Sequence, residues 1–181
     1  MSMSTTKLLF NVAVFFVGGQ DDREALALGI RMLDRPNTSV TLFFFAIDNS
    51  GVVDFKENEE EEAIESMLDE SLIDEFKAKK INVDNVVCHE IVVDDCVQVL
   101  EAIRGLGNED YDLVMVGKRH NIRDITDEEM SNFLDNANLL GIFGDMLVST
   151  EFCNGGVPVL VLQCGEKRVK QCDKLSLTSL F

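Results

Sequence analysis

The stretch NVAVFFVGGQDDREALALGIRMLD, residues 11–34, decides the fold. Asn11 to Val17 is almost wholly apolar and rich in Val and Phe. A run with no polar face reads as a strand buried on both sides, as in parallel sheets. Gly18-Gly19-Gln20 turns the chain. Asp21 to Asp34 then reads as a helix with an acidic first turn, where carboxylates suit the positive end of the dipole.

The same alternation continues outward. Pro36-Asn37 ends the helix, and SVTLFFFAI (39–47) is a second strand. Asp48-Asn49-Ser50-Gly51 is turn chemistry. Glu57 to Lys80 reads as a long helix, with Ile64, Met67, Leu68, Leu72, Ile73 and Phe76 at spacings of three and four. Glu59 to Glu62 open it, and Lys77, Lys79 and Lys80 close it. That polarity fits the dipole, so the acidic run reads as a solvated helix start rather than a metal site. NVVCHEIVV (85–93) is a third strand. Asp94–Leu106 is a helix that Asp94 or Asp95 can cap. DLVMVG (112–117) is a fourth strand. A polar stretch from Lys118 to Leu139, with a short helix near Asp127–Leu134, leads to a helix at Leu140–Glu151. VPVLVLQ (157–163) is the fifth strand.

The domain organisation expected is an extension at 1–10, an α/β domain at 11–165 and a polar tail at 166–181. Five strands separated by helices imply right-handed crossovers and a parallel sheet with helices on both faces. Ligands of such sheets sit at the carboxyl ends of the strands, where the strand order reverses. The loops in question are Gly18–Asp22 and Gly117–Asp145.

Composition narrows the function. The 181 residues carry 33 acids against 16 bases, a net charge of −17. That balance repels nucleic acid and anionic lipid alike. The most apolar run, Leu8 to Val17, is about half of the roughly 20 residues a membrane helix needs, so no membrane insertion is expected. The five cysteines form no CxxC pair and read as reduced cytosolic thiols. Cys88-His89 with Cys96 is too sparse for zinc, and no metal or cofactor is expected. No catalytic residue stands out: Ser149-Thr150 have no base at a recognisable spacing, so no enzyme activity is expected. His89 and His120 are candidates for pH sensing, set against the commoner reading of ordinary surface or half-buried histidines. The last strand offers Val157, Val159 and Val161 for a homodimer if its edge is uncovered. Burial under helices in a monomer is the alternative.

Three segments carry a family resemblance: VAVFFVGGQDDREALALGIRM (12–32), YDLVMVGKRH (111–120) and LGIFGDMLVSTEF (140–152), the last followed by VPVLVLQ. In this order they resemble the last cytosolic domain of the plant cation/H+ exchanger family, over residues 11 to 163. That domain is similar to the universal stress protein fold. The resemblance implies a flavodoxin-like three-layer sandwich with a five-stranded parallel sheet ordered 3-2-1-4-5. It also implies a non-catalytic regulatory or assembly domain of a transporter exchanging K+ or a similar cation for protons. The partners implied are the antiporter membrane domain, which this chain lacks, and regulatory proteins. The chain is then an excised tail or a short relative encoded alone. Asn138-Leu139 stand where the family has Pro-Glu, and the chain has no tryptophan.

The universal stress resemblance also implies an alternative, a free-standing small-molecule sensor binding ATP or AMP. The candidate ligand residues are Gly18, Gly19, Gly117, Lys118, Arg119, Gly141, Gly144 and Asp145. Nucleotide-binding members carry G-x2-G-x9-G-[ST] after the fourth strand, where amides and a hydroxyl meet phosphate. Here His120 replaces the second glycine, the spacing to Gly144 is too long, and Asp145 replaces the hydroxyl. Val17 stands where those proteins carry a first-strand Asp. Asp21 and Asp22 lie where an anion would sit; two unit charges about 4 Å apart repel by roughly 4 kcal/mol at an effective dielectric near 20. Lys118 and Arg119 would offset part of this. On the other reading, the glycines serve tight turns and close helix–sheet packing.

Overall fold

The computed structural model describes residues 9–47, 59–79, 84–106, 111–120, 137–148 and 156–165. The strands are β1 (Phe10–Phe16), β2 (Thr38–Ile47), β3 (Val86–Val93), β4 (Leu113–Gly117) and β5 (Val159–Leu162). The helices are α1 (Gln20–Met32), α2 (Glu59–Lys79), α3 (Cys96–Gly105) and α4 (Ala137–Val148). The strands form one parallel sheet in the order β3-β2-β1-β4-β5, as expected. The turn at 48–51, the short helix near Asp127–Leu134, Ser149-Thr150, the first eight residues and the tail at 166–181 lie outside the described residues.

Alternation along β1 builds both faces of the core. Val12, Val14 and Phe16 pack with Ala25, Leu26 and Ile30 of α1 and with Ile73 and Phe76 of α2. Ala13 and Phe15 point the other way, onto Val99 and Ile103 of α3 and Phe143 and Met146 of α4. Period-two alternation with both sides apolar is why the strand shows no polar face in sequence. On the α3–α4 side, register aligns Phe15 with Phe43 and Phe43 with His89. The rings stack at centroid separations of 5.1 Å and 5.2 Å. Asp95 caps α3 by accepting from the amide of Gln98 at 2.8 Å.

Three expectations change. Only the C-terminal half of the α2 stripe enters the core: Leu72, Ile73 and Phe76 pack inward. Ile64, Met67 and Leu68 are 57, 69 and 47% exposed. By their spacing they lie on another side of the helix, while Glu65 and Asp69 face α1 and pair with Arg23. Next, Gly141 breaks α4, with φ 74° and ψ 169°. Finally, β5 is an edge strand, but Val157, Val159 and Val161 are half-buried against the α3–α4 core. Its exposed side chain is Leu160, on the opposite face.

Candidate functional site

The strand order reverses at β1, which lies between β2 and β4. The crevice at the carboxyl ends of β1 and β4 is therefore the place where ligands of this architecture sit. Here two side chains from the first turn of α1 fill it. Asp22 is fully buried. Its Oδ2 accepts from the amides of Val17 at 2.7 Å and Gly18 at 2.9 Å. Its Oδ1 accepts from the amide of Gly117 at 2.7 Å. The Nε2 of His120 stands 3.0 Å from Oδ2. Three amides already donate to this carboxylate, so Nε2 supplies the proton of that contact.

Asp21, also buried, reaches the neighbouring strands. Its Oδ2 accepts from the backbone amide of Arg119 at 3.0 Å and from Nε of Arg119 at 2.9 Å. Its Oδ1 accepts from Nη2 of Arg119 and from the amide of Cys164, each at 2.8 Å. The same Nη2 donates to the carbonyl of Cys164 at 2.8 Å. The bidentate Arg119 guanidinium is the main cause holding the Asp21 carboxyl down at about 2. Burial works the other way, and the amides of Cys164 and Arg119 add to the lowering.

A third carboxylate extends the cluster to α2. Asp69 accepts from the amide of Gly19 at 3.0 Å and pairs with Arg23, which also binds Glu65 at 2.6 Å. One turn of α1 thus ties together the ends of β1, β4 and β5 and the middle of α2.

Of the glycines expected at a ligand site, Gly117, Gly141 and Gly144 are places of close approach. A Cβ on Gly117 would lie 2.5 Å from Oδ1 and 2.6 Å from the amide nitrogen of Asp22. A Cβ on Gly141 would run into the carbonyl oxygen of Lys118, and its positive φ already disfavours a side chain. Gly144 packs on Val161 of β5, and Asp145 is buried in α4.

The structure therefore gathers Gly18, Gly117, Arg119 and His120 around Asp21 and Asp22, with Gly19 on Asp69 and Lys118 against Gly141. Arg119, expected among the ligand residues, is held by Asp21 on two side-chain nitrogens. His89 lies elsewhere, on edge strand β3, stacked on Phe43. The ring of His120 is 3% exposed and meets Phe143 edge-on at 4.7 Å. Its Nδ1 is buried without a hydrogen-bond partner among the described residues. Cys164, Arg23, Glu65 and Asp69 were not anticipated. Cys164 contributes only backbone to Asp21, which leaves no mark in a sequence. The Arg23–Asp69 pairing joins two helices through residues 46 positions apart.

Fold and site define a parallel α/β domain whose switch point is closed by its own carboxylates. The model of the plant cation/H(+) antiporter C-terminal domain matches residues 9–163, and the chain belongs to that family. Cation/H(+) symporter 13 of Arabidopsis thaliana is 31% identical over 179 residues, covering 99% of this chain and 20% of the relative. Cation/H(+) antiporter 10 of the same plant is 32% identical over 167 residues, covering 91% of this chain and 19% of its own length. The chain thus spans about a fifth of the curated relatives it matches. Among solved structures, the universal stress protein UspA from Lactobacillus plantarum superposes with a TM-score of 0.41 at 12% identity, over 85% of this chain and 97% of that one.

Proposed function

We propose that this chain is a non-catalytic regulatory and assembly domain, on the cytosolic side, of a monovalent cation (K+)/proton antiporter, or a stand-alone relative of one. The observation that carries this reading is the filled switch point. The amides of Val17, Gly18, Gly117, Arg119 and Cys164 all donate to Asp21 or Asp22. An anion-receiving arrangement supplied with its own anions favours a rigid coupling element over a phosphate site. Membership of the antiporter family supports the same reading. Among the described residues, no helix is long and apolar enough to cross a membrane.

The test is a graft. This chain replaces the corresponding domain of a plant cation/proton antiporter, and rubidium flux is measured in cells lacking potassium uptake. The expected result is retained flux that Asp22→Asn in the graft alters. Flux indifferent to the domain and to the substitution overturns the reading. Calorimetry with ATP and with AMP, magnesium present, tests the sensor alternative. No binding heat is expected, and micromolar affinity would replace the proposal.

Two finer elements belong to the same proposal. The outer edge of β5, with exposed Leu160, serves homodimer assembly; a monomer by light scattering at high micromolar concentration removes it. His120 is the point at which pH acts on the cluster, through its contact with Asp22. Unchanged pH dependence of transport in a His120→Gln graft removes that element.

A further inference from the structure

We propose that the exposed face of α2 formed by Ile64, Met67 and Leu68 docks residues 166–181 of the same chain. By their spacing these three side chains share one side of the helix, roughly 130° round from Leu72, Ile73 and Phe76, at 100° per residue. They are the largest exposed apolar group on any one described helix. Glu60, Glu61, Asp74 and Glu75, all exposed, border them. An apolar ridge between carboxylates calls for an occupant that is both basic and apolar.

The chain beyond Gly165 has that composition. Lys167, Arg168, Lys170 and Lys174 are four of its 16 bases, and Leu175, Leu177, Leu180 and Phe181 follow. With Glu166 and Asp173 counted, the segment carries +2 in a chain whose net charge is −17. Opposite charges steer such a segment towards α2, and the leucines give it apolar surface to bury. Reach is ample. The amide of Cys164 is bonded to Asp21, and the amide of Gly19 to Asp69 of α2. The chain therefore leaves the sheet close to the middle of α2. Sixteen extended residues span up to about 50 Å, and Met67 lies within one turn of Asp69.

The full chain carries the test. Phe181→Trp introduces the chain's sole indole into the segment. Its emission is expected to be blue-shifted relative to the urea-unfolded chain, and the shift is expected to disappear when Met67→Glu is added. Lys170→Glu with Lys174→Glu should give the same loss, so the test survives if the α2 variant fails to fold. Carbodiimide cross-linking should join lysines of 167–174 to Glu60, Glu61, Asp74 or Glu75. In an equimolar mixture of 14N and 15N chains, those links should be confined to one isotope. An emission maximum indifferent to both sets of charge changes, or no such cross-links, overturns the proposal. Mixed-isotope links overturn it in favour of a second copy as occupant.

Discussion

Asp22 places Oδ1 2.7 Å from the amide of Gly117, a residue 95 positions further along the chain. That bond fixes the first turn of α1 against the end of β4 and leaves no room there for a side chain. Removing the charge should therefore cost the fold as well as the site. Asp22→Asn keeps the shape but turns an amide donor towards amide donors, leaving buried groups unsatisfied. A loss of about 2–4 kcal/mol is expected, read from urea unfolding followed by circular dichroism.

Acid should act through Asp21. Its folded value of about 2 lies below the ordinary value of 3.8. A depressed carboxyl contributes stability that is complete above the unfolded value and is lost as pH falls through the folded one. The window is therefore pH 4 down to 2. The full shift corresponds to about 2.5 kcal/mol, but the Arg119 side chain is 46% exposed and solvent screens it, so about 1–2 kcal/mol is expected. Arg119→Gln should flatten stability over that window; an unchanged slope would contradict the assignment.

Glycine substitutions should separate crowding from strain. Gly19 has φ 97° but open space where a Cβ would stand, so Gly19→Ala should cost only backbone strain, about 1–3 kcal/mol. Gly117→Ala meets the backbone of Asp21 and Asp22, and Gly141→Ala adds a clash with Lys118 to its positive φ. Both should cost about 3 kcal/mol or more by chemical denaturation.

The aromatic stack gives a control away from the site. Phe15 is fully buried between Phe43 and Phe45. Phe15→Ala should cost about 3–5 kcal/mol, whereas Asp95→Ala, which removes the α3 cap, should cost about 1 kcal/mol. Thermal melts of the two variants should fall in that order.

The strands were legible because Val12 to Phe16 and Leu42 to Phe45 have no polar face, as in a sheet covered on both sides; their order came from the family resemblance. Asp21 and Asp22 could be placed at the helix start and recognised as occupying an anion's position. Their partners could not be read, because most are backbone amides of residues brought in by the sheet. The α2 stripe misled for a different reason. Spacings of three and four run through all six apolar residues, yet Ile64, Met67 and Leu68 lie about 130° round the helix from Leu72, Ile73 and Phe76. Gly141 inside an apolar run read as continuous helix, since nothing local announces that the Lys118 carbonyl presses on it.

The bond from the Cys164 amide to Asp21 spans 143 residues. At the usual 5–20 residues per second, the ribosome needs roughly 7–30 s to make what lies between. Throughout that interval Asp21 lacks the Cys164 amide, while the donors of β4 at Gly117 and Arg119 arrive earlier, 95 and 98 residues after their carboxylates. The β1–α1 unit therefore cannot complete its crevice before the final strand emerges.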